Sequence, residues 1–130
     1  MKNNKSIILC CSMKVKNKIF EVKDILESNG FNVLLPLECI KGLDKTIASR
    51  AHFNRIISND SCVLIVNEEK NGIKNYIGPN SLCEIACSFY CNRKIFLLND
   101  IYEPYKDELY AWGVIPLKGD LELLTNYYKE

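Results

Sequence analysis

No long apolar run, no excess of one charge and no paired-cysteine motif occurs in this 130-residue sequence. The first absence leaves nothing that approaches a membrane span. The five apolar residues Ile7 to Cys11 behind MKNNKS are too few for the core of a secretory signal, so a cytoplasmic chain is expected. Seventeen Lys and Arg against sixteen Asp and Glu leave a formal charge of +1, which removes the broad basic footprint of a nucleic-acid or anionic-membrane binder. Arg93, Lys94 and Lys70 are too scattered to make one. Any ligand must be recognised locally. With no CxxC and a single histidine, His52, the usual ligand spacing of a zinc site is missing, and neither metal nor other cofactor is expected. Repeats, low-complexity tracts and interdomain linkers are absent too, which leaves one domain spanning residues 1–130.

What is present fits a compact α/β domain, with 48% hydrophobic and 25% charged residues. Seven cysteines are many for this length, but the number is odd and no secretory signal precedes them, which argues for reduced thiols over a disulfide framework. Cys83, Cys87 and Cys91 recur every four residues and stack along one side of a helix, where their expected role is that of small apolar residues in tight packing.

Hydrophobic patterning supplies the element order. Ile7 to Cys11 is a continuous apolar run suited to a strand covered on both faces. Ile19, Val22, Ile25 and Leu26 repeat at helical spacing, Asn29-Gly30 stops that helix, and Val33 to Pro36 extends again. Residues 44 to 57 read as a helix with Ile47, Ala51, Ile56 and Ile57 as its apolar positions, and Cys62 to Val66 is the most strand-like run. A loop from Asn67 to about Pro79 precedes a helix from about Ser81 to Cys91; loops of this length in a compact domain are usually functional or disordered. Lys94 to Leu98 makes a fourth strand, residues 104 to 111 a short helix, Val114 to Pro116 a weak fifth strand and Asp120 to Tyr128 a terminal helix. Trp112, behind the short helix, is expected at the sheet edge.

Such alternation implies a parallel sheet with helices on both faces and right-handed crossovers. The expected architecture is a flavodoxin-like three-layer sandwich whose five parallel strands lie in the order 2-1-3-4-5. That order puts a ligand crevice above the carboxyl ends of the first and third strands, where the winding reverses. Ser12, Met13, Lys14 and the 67–80 loop are then its walls.

The stretch Tyr76-Ile77-Gly78-Pro79-Asn80-Ser81-Leu82-Cys83-Glu84 ends the long loop and opens the third helix beside that crevice. Gly78 permits close approach of backbone to ligand, and the unpaired N–H groups of the first turn near Ser81 suit a phosphate or a sugar hydroxyl. Ser81-x-x-Glu84 is equally a capping box, in which the two side chains merely satisfy each other's backbone donors. On a helical wheel Leu82, Ile85, Ala86, Phe89 and Tyr90 share one apolar face that the three cysteines extend. Only the strip Asn80, Ser81, Glu84, Ser88 and Asn92 stays polar. A helix so enveloped is covered on both sides, by the sheet and by a partner subunit, with its polar strip facing a crevice or a seam.

Ile65-Val66-Asn67 after a buried strand, the 76–86 stretch through Ile85-Ala86, and Lys94-Ile95-Phe96-Leu97-Leu98-Asn99 together resemble the nucleoside 2-deoxyribosyltransferase family and its relatives that hydrolyse deoxynucleoside monophosphates. The similarity is carried by residues 62 to 99 and extends more loosely over Ile7 to Pro36 and Gly119-Asp120-Leu121. It implies a flavodoxin-like, oligomeric enzyme that cleaves the bond between a base and a (deoxy)ribose. It also implies a nucleophilic role for Glu84, whose carboxylate attacks the anomeric carbon to give a covalent glycosyl-enzyme that water or a second base resolves. By the same resemblance Asn80 and Ser81 hold the sugar or its 5′-phosphate and Gly78 makes the adjoining turn. Tyr76 is either a stacking partner for the base or an amphipathic rim residue.

Relatives place an aspartate directly before the third strand; here Cys62 stands there, with Asp60 two residues earlier as the available second acid or as a plain turn residue. Asn67, at the carboxyl end of that strand, is polar where a second family acid can lie, and the tyrosine that some relatives carry on the first strand is absent from Ile7 to Ser12. The expected substrate is a small nucleoside or nucleotide, handled by a homodimer or larger homo-oligomer. Two rivals remain: a nucleotide-binding module without turnover, which the missing aspartate favours, and a TIR-like NAD glycohydrolase, which shares the layout and a catalytic glutamate but not the Tyr-Ile-Gly-x-Asn-Ser signature. Arg50 and His52, on the second helix, are expected to face solvent or a seam.

Overall fold

The computed structural model describes residues 5–11, 16–36, 42, 44–58 and 61–129. They form β1 (Ser6–Cys11), α1 (Lys16–Ser28), β2 (Asn32–Leu34), α2 (Lys45–Ser58), β3 (Ser61–Val66), α3 (Pro79–Tyr90), β4 (Ile95–Leu97), a 3₁₀ turn (Glu103–Tyr105), α4 (Lys106–Ala111), β5 (Ile115–Pro116) and α5 (Leu121–Tyr127). The five strands lie in the order β2-β1-β3-β4-β5 and every pairing is parallel. This is the expected flavodoxin-like sheet. Among the described residues no helix is long and apolar enough to cross a membrane.

Uninterrupted apolar strands are what a doubly covered sheet requires, because successive side chains leave opposite faces. All six residues of β3 are buried. Leu64 and Val66 point to one face, with Ile7, Leu9 and Phe96, and meet Ile19, Val22 and Leu26 of α1 and Leu124 of α5. Val63 and Ile65 point to the other, with Ile8, Cys10, Ile95 and Leu97, and meet Ile56 of α2, Ile85 of α3 and Leu109 of α4. The helix that leaves β1 and the helix that enters β3 thus lie on opposite sides of the sheet, and the winding reverses between these two strands.

Three helices enter the following strand through the same device. After α1, Gly30 takes a positive φ of 89°, its N–H reaches the Glu27 carbonyl at 3.0 Å and the Phe31 N–H reaches that of Leu26 at 3.2 Å. This is a Schellman motif, with buried Phe31 as its apolar contact. Asn92 closes α3 and Gly113 closes α4 with the same pair of hydrogen bonds. At the other ends, Asp44 and Asp120 accept backbone N–H bonds from the first turns of α2 and α5.

The start of α3 differs from the expectation. The helix begins at Pro79, with Gly78 as its cap residue and no side-chain cap bond. Proline suits the first helical position because its φ is already helical and no N–H is missed there. Ser81 is therefore a third helical residue and not a cap, so the capping box does not form.

Candidate active site

Cys10, His52 and Glu84 converge under the carboxyl end of β1, at the reversal of winding. Cys10 is on the sheet face that α2 and α3 cover, because it shares the strand parity of Ile8. His52 lies on the inner stripe of α2 between Ala48 and Ile56, four residues apart on either side. Glu84 lies on the inner stripe of α3 with Ser81, Ile85 and Ser88. The imidazole Nε2 is 2.7 Å from Glu84 Oε2 and 3.2 Å from Cys10 Sγ. Side-chain exposure is 1% for His52 and 10% for Glu84, so the pair is shielded and only the carboxylate reaches toward solvent.

Both partners of His52 meet the same ring nitrogen. A Cys-His-Glu relay needs the thiol and the acid on different nitrogens, so this cluster is not one. The arrangement suits a single Nε2–H donated chiefly to the carboxylate, which fixes the Glu84 rotamer. His52 Nδ1 is buried and has no hydrogen-bond partner among the described residues. An acceptor lone pair there costs less than an unpaired N–H, which favours the same tautomer.

The placement of His52 overturns the expectation of a solvent-facing or seam residue. Ile47 and Ile57, two apolar positions in the helical pattern of α2, are 60% and 52% exposed, whereas Ala48, His52 and Ile56 are buried. Turning the wheel by one residue moves the histidine from the rim to the centre. Arg50 is exposed. In α3 the expected apolar face divides: Ile85 is buried alongside Ser81, Glu84 and Ser88 of the polar strip, while Cys83 and Phe89 are exposed and Tyr90 is 87% exposed. Cys87 and Cys91 are partly buried, so the cysteine row runs along a half-open edge and not through tight packing. Glu84 turns toward the histidine of the facing helix, and its polar neighbours on the same stripe are buried with it.

Of the other anticipated site residues, Ser12 and Asp60 lie outside the described residues, as do Met13 and Lys14. Ser61, which follows Asp60, opens β3 at its amino end and pairs with Ser6, whereas Cys10 is level with Ile65. Cys62 faces the α1/α5 core, and burial pushes its thiol up to about 11. Ser81 is buried and Asn80 exposed.

Asn67 is buried and its amide is engaged. It donates to the carbonyls of Asp100 at 2.8 Å and Asn75 at 3.4 Å, and its oxygen accepts the Asn99 N–H at 2.9 Å. Asn99 Nδ2 in turn donates to the Asn67 carbonyl at 3.0 Å and to Glu68 Oε2 at 2.6 Å. The 67–78 loop is ordered by this network and by a tight turn at Asn71-Gly72, both with positive φ, flanked by reciprocal Lys70 and Ile73 backbone bonds. Tyr76 packs edge-on to Tyr102, with ring centroids 5.6 Å apart, and Lys70 Nζ sits 4.7 Å from its ring centre. One ring face is therefore already occupied. Gly78 has an ordinary φ of −78°, and a Cβ there would meet the Tyr76 ring edge at 3.4 Å. Trp112 stacks on Phe89 at 5.6 Å beside the α4 end of the sheet. A shallow groove on the outer side of α2, lined by Arg50, Phe53, Asn54 and Ile57 among others, includes none of Cys10, His52 or Glu84.

Sequence reasoning reached Glu84 but missed its two neighbours. Cys10 was absorbed into an apolar run, and His52 carried a readable signal only in its spacing from Ala48 and Ile56. No protein-family model and no curated protein matches the chain.

Proposed function

We propose that this chain cleaves or transfers the N-glycosidic bond of a (deoxy)nucleoside or nucleotide, with Glu84 as the nucleophile. The observation that carries the reading is the inward Glu84 carboxylate, held at 2.7 Å by buried His52 at the reversal point of the sheet instead of capping its own helix. His52 engages Oε2; Oε1 is the oxygen assigned to the anomeric carbon. As the base departs with the bonding electrons, a glycosyl ester forms on Glu84, and water or an acceptor base then displaces the carboxylate with net retention. His52 acts as a positioning residue, because a carboxylate with one oxygen fixed has fewer orientations to lose at the transition state. Ser81, buried one turn before Glu84, is on the correct stripe to meet a sugar hydroxyl.

A second reading, nucleotide binding without turnover, is favoured by Cys62. Its thiol stands where relatives carry an aspartate, faces away from Glu84 and stays protonated at neutral pH, so it cannot orient the nucleophile or serve as an acid for the leaving base there. Either reading places a small nucleoside or nucleotide at the site, in a cytoplasmic homo-oligomer whose second copy covers exposed Phe89 and Tyr90 of α3. Mass in solution tests the last point, and a strict monomer removes it.

The deciding experiment incubates wild type and Glu84→Gln with deoxynucleosides, their 5′-monophosphates and NAD and follows free base by chromatography. Wild type is expected to release base, and the variant to fall by roughly three orders of magnitude or more, as loss of a nucleophile does elsewhere. Nucleotide-dependent thermal stabilisation of both proteins without release would support the binding module instead.

A further inference from the structure

We propose that Cys10, His52 and Glu84 bind a zinc-class divalent ion, and that the ion inhibits the protein by capturing the Glu84 carboxylate. The binding stands on the geometry of the three donors. Its inhibitory consequence rests on Glu84 being the nucleophile.

Cys Sγ, His Nε2 and a carboxylate oxygen are the donor types zinc prefers, and a thiolate with an imidazole selects it over magnesium or calcium. All three donor atoms lie within 4.8 Å of one another. Zinc bonds of about 2.0–2.3 Å at tetrahedral angles set donors roughly 3.3–3.6 Å apart. The sulfur–nitrogen separation of 3.2 Å and the nitrogen–oxygen separation of 2.7 Å must each open by a fraction of an ångström, which small side-chain rotations of Cys10 and Glu84 supply. Thiolate and carboxylate together cancel the ion's charge, so a neutral unit replaces a buried ionised group. Three protein donors leave a fourth coordination position. Glu84 is the most exposed of the three, with 10% of its side chain accessible.

The same geometry limits the affinity. Metal on Nε2 puts the proton on Nδ1, which has no acceptor among the described residues. Loss of such a supporting bond weakens metal sites elsewhere about 10–100-fold. The ion is therefore exchangeable and regulatory, not a permanent structural part.

Cobalt(II) is the spectroscopic probe, titrated into the chelator-treated full chain. The expected result is a thiolate-to-cobalt charge-transfer band with intense tetrahedral visible bands, both bleached by zinc. Cys10→Ser should abolish the charge-transfer band, and Cys83→Ser should keep it. His52→Asn, checked for native circular dichroism, should weaken binding by at least about tenfold and covers the case in which Cys10→Ser fails to fold. No band at millimolar cobalt, or a band that survives Cys10→Ser, overturns the proposal. In the activity arm zinc should block base release and chelator restore it, with the inhibition constant raised in folded Cys10→Ser relative to that variant's own metal-free rate. A metal band without base release from any substrate leaves the ion site standing and removes the glycosidic reading; base release without a band does the reverse.

Discussion

The two faces of the sheet are built from the same strands and serve different ends. Toward α1 and α5 every buried side chain among the described residues is apolar or a thiol with the packing behaviour of one, and the cluster runs from Ile7 through Leu64 and Phe96 to Leu124. Toward α2 and α3 a similar apolar cluster, Cys10 included, is interrupted by the buried polar side chains His52, Ser81, Glu84 and Ser88. One face spends its burial on cohesion, while the other gives some of it up to hold a carboxylate in a fixed direction. A buried polar pair of this kind gains little over well-packed hydrocarbon, so stability alone does not account for its presence on one face.

That contrast can be broken from the polar side first. His52→Leu alone should destabilise the fold by roughly 3 kcal/mol, because it leaves Glu84 buried without its partner. His52→Leu with Glu84→Leu should recover most of that loss while abolishing base release. Chemical denaturation of the single variants and the double variant measures the coupling, and additive losses would show that the two side chains do not act as a pair. On the other face Leu64→Ala should cost about 2–5 kcal/mol through the cavity it leaves. The base released per folded molecule should stay unchanged; a selective loss of turnover would erase the distinction between the faces.

Cys62 sharpens the comparison through pH. Burial raises its folded thiol to about 11, above the ordinary thiol value that the unfolded chain retains. Between those two values the unfolded state loses its proton first, so the contribution is full below the ordinary value and is lost as pH rises toward 11. About 2–3 kcal/mol should vanish across that interval, and Cys62→Ala should flatten the slope in denaturation curves taken from pH 8 to 11. In the native protein at pH 8, a maleimide should label exposed Cys83 long before Cys62. The smallest effect belongs to Gly30→Ala, where a Cβ is forced into a φ of 89°. About 1 kcal/mol, or a melting temperature lower by about 4 °C, is expected with no change in either site.

Strand order and the assignment of strands to a doubly covered sheet were legible because β1 and β3 are continuous apolar runs separated by helical spacing and by real stop signals such as Asn29-Gly30. The site was legible only at Glu84. Its partner was hidden because isoleucines on the outside of α2 outweighed one histidine on the inside, and hydrophobicity cannot tell an exposed Ile47 from a buried Ile56 without knowing what faces them. Cys10 was hidden because a cysteine in an apolar run is indistinguishable from filler until another chain segment brings a polar atom to its sulfur. Pro79 carried the opposite lesson: its fixed φ marks the helix start, and weighting it would have removed the capping box from Ser81 and Glu84.

Asn67 ties the exits of β3 and β4 to each other and to the turn at Asn75, all through one side-chain amide. The chain segments that leave these two strands are consequently cross-braced by side-chain bonds that do not belong to the sheet ladder.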